Sequence, residues 1–220
     1  MMWDVAMIKL TIMGIGETLY ITLISTLLAY AVGIPIGIGL VVTEKEGLLT
    51  NTWLYSLLNM GVNIIRSISF LILLVVVIPF ARFVVGNSIG LIATIIPLSV
   101  AAVPYIARMI EGSLKEIDSG IIEAAVSMGA SPLQIIMKVM LLGAKPSLLI
   151  GAATSVTTIL GYAAMISFIG GGGIGNIAIT YVYSSYKLDF LLITLMIVIA
   201  VVQTIQGISI KIARQQDQRK

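Results

Sequence analysis

Few residue types in this chain can do covalent or metal chemistry. Among its 220 residues there is no Cys and no His. That removes disulfides, thiol nucleophiles, the commonest metal ligands and the Ser-His and Cys-His pairs of most membrane hydrolases. No HExxH sequence is present, so zincin chemistry has no site. The run Gly170-Gly171-Gly172-Gly173, with Gly175 behind it, has the glycines of a phosphate loop but no following Lys-Ser or Lys-Thr. It reads instead as a flexible turn. No Walker motif occurs elsewhere, so the chain carries no ATP site and no catalytic or metal site of its own. Four of its ten acidic residues, Glu111, Glu116, Asp118 and Glu123, gather in one segment. That segment is where the chain's chemistry of recognition is expected.

The elements around it are apolar. Hydrophobic residues make up 59% of the chain and charged residues 10%, against about 25% charged in a soluble domain. Stretches 18–43, 47–65, 67–81, 83–107, 146–186 and 190–210 contain no Asp, Glu, Lys or Arg. A helix needs about 20 apolar residues to cross the hydrocarbon core, and the runs lack the alternation of a membrane barrel. An all-α, polytopic membrane bundle follows, as one domain over 1–220, with five transmembrane helices at about 16–42, 57–80, 88–106, 148–168 and 188–210. The second is interrupted by Asn59, Asn63 and Arg66; Arg66 can snorkel to the interface. Gly33 and Gly37 form a GxxxG packing pattern, and Pro79, Pro97 and Pro104 are expected at kinks or helix ends. The first apolar run is too long for a cleaved signal peptide, with only Lys9 ahead of it. No basic patch with interleaved aromatic residues appears, so nucleic acid is not an expected partner.

Lysine and arginine set the orientation. Nine of the 13 cations, from Lys45 through Lys138 to Lys220, fall on one side of a five-helix topology, and Arg66 joins them. Lys9, Arg82 and Lys187 fall on the other. The N-terminus is therefore expected outside and the C-terminus in the cytoplasm, together with the polar segment 108–145. In that segment Ile117, Ile121, Ala125 and Met128 recur at helical spacing as one apolar face. Gly129 suits a left-handed helix end; Ser131, Pro132 and Gln134 suit a new helix start with a capping box. Two short helices at an angle result, either docked on another protein or lying on lipid headgroups.

The energy source follows by elimination. Proton- and ion-coupled carriers place ionisable groups at mid-membrane depth, and the expected crossings hold none beyond Glu17 at the edge of the first and Arg66 in the second. Sodium coupling through backbone carbonyls stays open. The remaining classes are a channel, a structural subunit, or a permease driven by a separate protein, and a folded cytoplasmic segment favours the last.

That segment also carries a family pattern. Glu123-Ala124-Ala125, three residues, Gly129, then nine residues to Val139-Met140-Leu141 resembles the E-A-A-x3-G-x9-I-x-L-P motif of bacterial ABC importer permeases. Val139 stands for Ile and Leu142 for Pro; Gly143 and Pro146 can supply the kink. Arg66-Ser67-Ile68-Ser69-Phe70 is similar to the R-S-x-P-F stretch of methionine importer permeases, with Ser69 for Pro. Gly161-Tyr162-Ala163-Ala164-Met165, with the glycine run behind it, is similar to their fourth helix and outer loop. The resemblance implies a homodimer in the bacterial inner membrane, two ATP-binding subunits that hold ATP and Mg, and an external substrate-binding protein. Methionine would cross by alternating access. Another amino acid or small solute, or an ATP-independent secondary carrier, is the alternative. Glu123, Ala124, Ala125 and Gly129 would couple to the ATPase. Tyr162 and Met165, three residues apart on one helix face, would line the translocation pathway, Met165 offering a soft surface to a thioether and Tyr162 a hydroxyl. Ordinary helix packing is the alternative for that pair.

Overall fold

A computed structural model describes residues 5–86, 90–167 and 170–177, and single positions between 192 and 211. Among the described residues there is helix and no strand. The helices are α1 Val5–Thr43, α2 Thr52–Ser67, α3 Phe70–Val85, α4 Leu91–Lys115, α5 Ser119–Ser127, α6 Pro132–Gly143 and α7 Lys145–Ser167. Three are long and apolar enough to cross a bilayer, within α1, α4 and α7; a fourth span exists if α2 and α3 together count as one. The fifth expected crossing, 188–210, lies outside the continuously described residues; its described positions are helical.

The helices run past the expected crossings. At about 1.5 Å per residue, the 39 residues of α1 extend ~58 Å, against a hydrocarbon core of about 30 Å. Pro35, Pro79, Pro97 and Pro104 all lie inside helices, so none of the last three ends one. The break falls instead at Ile68–Ser69, within the expected second crossing. Both residues there are extended, with φ −85°, ψ 130° and φ −57°, ψ 139°. Counting apolar residues across 57–80 does not reveal that interruption.

The described chain gathers into two compact units. One contains α1 as far as Leu28, α3, α4 as far as Ala102, and α7 from Val156. Its core is Ile21, Leu74, Ile95, Leu98, Ala163 and Ile166. Polar groups inside it are satisfied locally: the hydroxyls of Thr18, Thr22 and Thr26 donate to the carbonyls of Gly14, Thr18 and Thr22 at 2.6–2.8 Å. Ser99 donates to Ile95 O at 2.7 Å, and Ser25 reaches the same oxygen at 3.4 Å.

The other unit contains α1 from Ala29, α2, α4 from Val103, α5, α6 and α7 as far as Ser155. Leu40, Val62 and Ala107 form its core. Gly33 and Gly37 let α1 and α4 touch: a Cβ on Gly37 would stand 2.8 Å from Ala107 O and from Ile110 Cβ. The GxxxG pattern is thus a packing seam.

Candidate functional site

The acidic segment folds into an elbow capped on both sides. Asp118 caps α5, accepting from Gly120 N–H at 2.7 Å. The helix ends in a Schellman arrangement: Ala130 N–H donates to Ala125 O at 3.1 Å and Gly129 N–H to Val126 O at 2.9 Å. Gly129 has φ +79°, which a side chain adopts only with strain. Two residues on, Ser131 begins α6 with a reciprocal capping box: Gln134 N–H donates to Ser131 Oγ at 3.4 Å, and Ser131 N–H to Gln134 Oε1 at 2.9 Å. Helix end, turn and helix start all match the sequence expectation.

The direction of α5 does not. Ala125 is buried, Ile117 and Ile122 are half-buried, whereas Ile121 and Met128 are 56% and 81% exposed. Asp118 starts a new helix after Ile117, so a phase carried across that residue misplaces the inward face. Of the four expected coupling residues, Glu123, Ala124 and Gly129 are exposed, while Ala125 packs inward. Val126, Met128, Leu133 and Met137 add exposed apolar surface to the elbow.

Residues 135–140 of α6 wind as a π-helix. Hydrogen bonding continues over the junction at Ala144, with Ala144 N–H to Met140 O and Leu148 N–H to Ala144 O, both 2.9 Å. The chain turns at Ala144 and Pro146 enters the first turn of α7. Gly143 lies against Ile117, its absent Cβ 3.2 Å from Ile117 Cδ1. A cleft of about 1040 Å³ opens between α5 and the turn after α1, lined by Glu44, Lys45, Glu46, Lys115, Glu123 and Val126.

Beside the elbow is a charge network that sequence reading missed. Arg108 Nη1 donates to Glu111 Oε2 at 2.6 Å. Its Nη2 donates to Asn63 Oδ1 at 2.7 Å and to Asn59 Oδ1. Lys115 Nζ lies 3.0 Å from Glu111 Oε1 and 2.8 Å from Glu44 Oε2. Glu111 is only 6% exposed; two cations face its two oxygens, which buried charge requires. Asn59 and Asn63, expected as interruptions of a crossing, are acceptors that tie α2 to α4.

The expected pathway pair separates by environment. Tyr162 packs against the core and stacks on Phe70, ring centroids 4.5 Å apart and planes 9° apart. Met165 is 48% exposed. Both lie on α7. The glycine run is not the loose turn expected. Gly171 and Gly173 are buried, and Gly173 N–H and Ile174 N–H donate to Glu17 Oε2 and Thr18 Oγ1 of α1 at 2.8 and 3.0 Å.

Known proteins carry the same chain pattern. The family described as binding-protein-dependent transport system inner membrane component matches residues 33–214. The probable D-methionine transport system permease protein MetI of Vibrio cholerae is 43% identical over 203 residues, covering 92% of this chain and 90% of that protein. MetI of Escherichia coli K12, a D-methionine transport system permease protein, is 47% identical over 165 residues, 75% and 73% of the two chains. A solved structure of an inward-facing conformation of the MetNI methionine ABC transporter superposes with a TM-score of 0.95 at 41% identity, covering 98% of this chain and 100% of that one. A crystal structure of an amino acid ABC transporter, at 20% identity and a TM-score of 0.79, shares the fold. The all-helical architecture, the elbow and its motif, and these matches place the chain in one family: it belongs to the inner membrane components of binding-protein-dependent transport systems.

Proposed function

We propose that this chain is the permease subunit of an ATP-driven methionine importer, acting as a homodimer with two ATP-binding subunits and an external substrate-binding protein. The observation that carries the reading is the match over nearly the whole chain to a MetNI transporter structure, at 41% identity and a TM-score of 0.95. The N-terminus lies outside, and the elbow and the C-terminus lie in the cytoplasm. The cation distribution supports this orientation. ATP and Mg reside on the partner subunits.

Coupling uses the α5–α6 elbow. Glu123, Ala124 and Gly129 present a small, exposed surface on which an ATP-binding subunit docks, flanked by Met128 and Leu133. Ala125 contributes from the inner side by seating α5 on the permease. The joint transmits displacement because it is capped on both sides, by two backbone–backbone bonds at the end of α5 and two backbone–side-chain bonds at the start of α6, with no linker between them. Hydrogen bonding across Ala144 passes the movement to α7. That helix carries Tyr162 and Met165 to the pathway, where the thioether of Met165 offers a polarizable contact to an apolar substrate side chain.

Substrate identity is tested by competition. Proteoliposomes holding the complete importer take up labelled methionine, and excess unlabelled methionine should abolish the signal while leucine, glutamine and lysine leave it intact. Inhibition by all four would replace methionine with a broader amino-acid class.

A further inference from the structure

The glycine turn after α7 is clamped to α1 by a built contact. Glu17 Oε2 accepts from Gly173 N–H at 2.8 Å. Thr18 Oγ1 accepts from Ile174 N–H at 3.0 Å while its own proton goes to Gly14 O at 2.8 Å. The surfaces between these bonds are pared to backbone. A Cβ on Gly14 would stand 3.3 Å from Ile174 N and 3.4 Å from Gly173 C. A Cβ on Gly171 would stand 2.6 Å from Thr94 Cγ2 and 2.9 Å from Ile166 O. Gly172 and Gly173 have φ +76° and +78°, which bring both amide donors round toward α1. Glu17 is the carboxylate at the N-terminal edge of the first apolar run; it accepts one amide N–H, from Gly173, and has no cation partner among the described residues.

We infer that Glu17 and Thr18 are positioning residues for the outer mouth of the pathway. They bind the turn at 171–174 to α1, so that the end of α7, which carries Met165, and the start of α1 move as one piece when the outer side opens. This rests on the importer reading and its orientation. A loose turn would let the outer side open without following the coupling elbow, so ATP would be hydrolysed without matching uptake. A carbonyl oxygen can replace the carboxylate, because the contact needs an acceptor and not a charge.

The test uses the complete importer in proteoliposomes. Since the chain has no Cys, a single Asn176→Cys at the exposed position two residues behind the turn carries a nitroxide label. In Glu17→Ala the label should become mobile, and uptake per ATP hydrolysed should fall roughly tenfold, the upper scale of one lost hydrogen bond. Glu17→Gln should keep an immobilised label and most of the uptake. Thr18→Val, close in volume, should shift both readouts in the same direction and carries the test if the Ala variant fails to assemble. An immobile label with normal uptake in Glu17→Ala or Thr18→Val overturns the inference. So does a Gln variant as impaired as Ala, which would make the charge itself the requirement. Uptake absent from the unsubstituted complex while label mobility follows the predicted order would instead fault the importer reading and leave the clamp intact.

Discussion

At Gly129 the whole elbow depends on one backbone angle. Its φ of +79° costs a non-glycine residue about 1–2 kcal/mol, less for Asn, and a Cβ there meets nothing inside the chain. Any defect beyond that strain must come from the docked partner. Gly129→Asn should therefore keep most ATPase association, Gly129→Ala less, and Gly129→Asp should release or uncouple the ATPase while the permease remains in the membrane. Co-purification and ATPase activity check the order; normal assembly and uptake in Gly129→Asp would refute docking at this surface. Arg108 makes a second case. Removing it leaves buried Glu111 with Lys115 alone, strips Asn63 Oδ1 of its Arg108 donor and leaves Asn59 Oδ1 only the long bond from Asn63 Nδ2 at 3.4 Å. Arg108→Ala should destabilise the purified complex by about 3 kcal/mol, and Arg108→Met with Glu111→Leu by less, because the pair then leaves together. Thermal unfolding in detergent compares them. The partners of Arg108 lie 49 and 45 residues away in sequence, so no local pattern could show that Asn59 and Asn63 belong to it.

Among the elements, what was legible was whatever is encoded over a few residues. The left-handed end of α5, the capping box of α6 and the small-residue seam of α1 are local patterns, and each stands where its residues indicated. The apolar face of α5 was misplaced because a helix start at Asp118 resets the phase, and the break between α2 and α3 was hidden inside an apolar run. That break yields a prediction. Ser69 already holds φ −57°, its side chain makes no cap bond, and Ile68 before it is extended, as a residue before proline must be. Ser69→Pro should fit without strain and raise stability by about 0.4–1 kcal/mol by restricting the unfolded chain. A lower melting temperature with lost transport would mean that the segment must leave this conformation during the cycle.

For the whole molecule, the scarcity of ionisable groups in the expected crossings, Glu17 at an edge and Arg66 apart, agrees with the proposal that energy enters through a partner subunit. A permease driven through an elbow needs no titrating carboxylate in the bilayer, and among the described residues the buried charge, Glu111, sits in the Glu44–Lys115–Glu111–Arg108 network beside that elbow. The pathway assignment is testable at the same scale. Tyr162→Ala removes the stack on Phe70 as well as a hydroxyl, so Tyr162→Phe separates the two effects. Met165→Ala should lower methionine uptake several-fold without loss of assembly, and unchanged uptake in the Tyr162, Met165 double alanine variant would remove both from the pathway. The central claim is that a separate ATPase drives solute through this chain. Labelled methionine uptake into proteoliposomes containing permease, ATP-binding subunit and binding protein, with and without ATP inside the compartment that faces the elbow, tests it most directly. Uptake that requires ATP and stops when the ATP-binding subunit is omitted is the predicted result. Methionine uptake indifferent to both would contradict it and mark the chain as a secondary carrier.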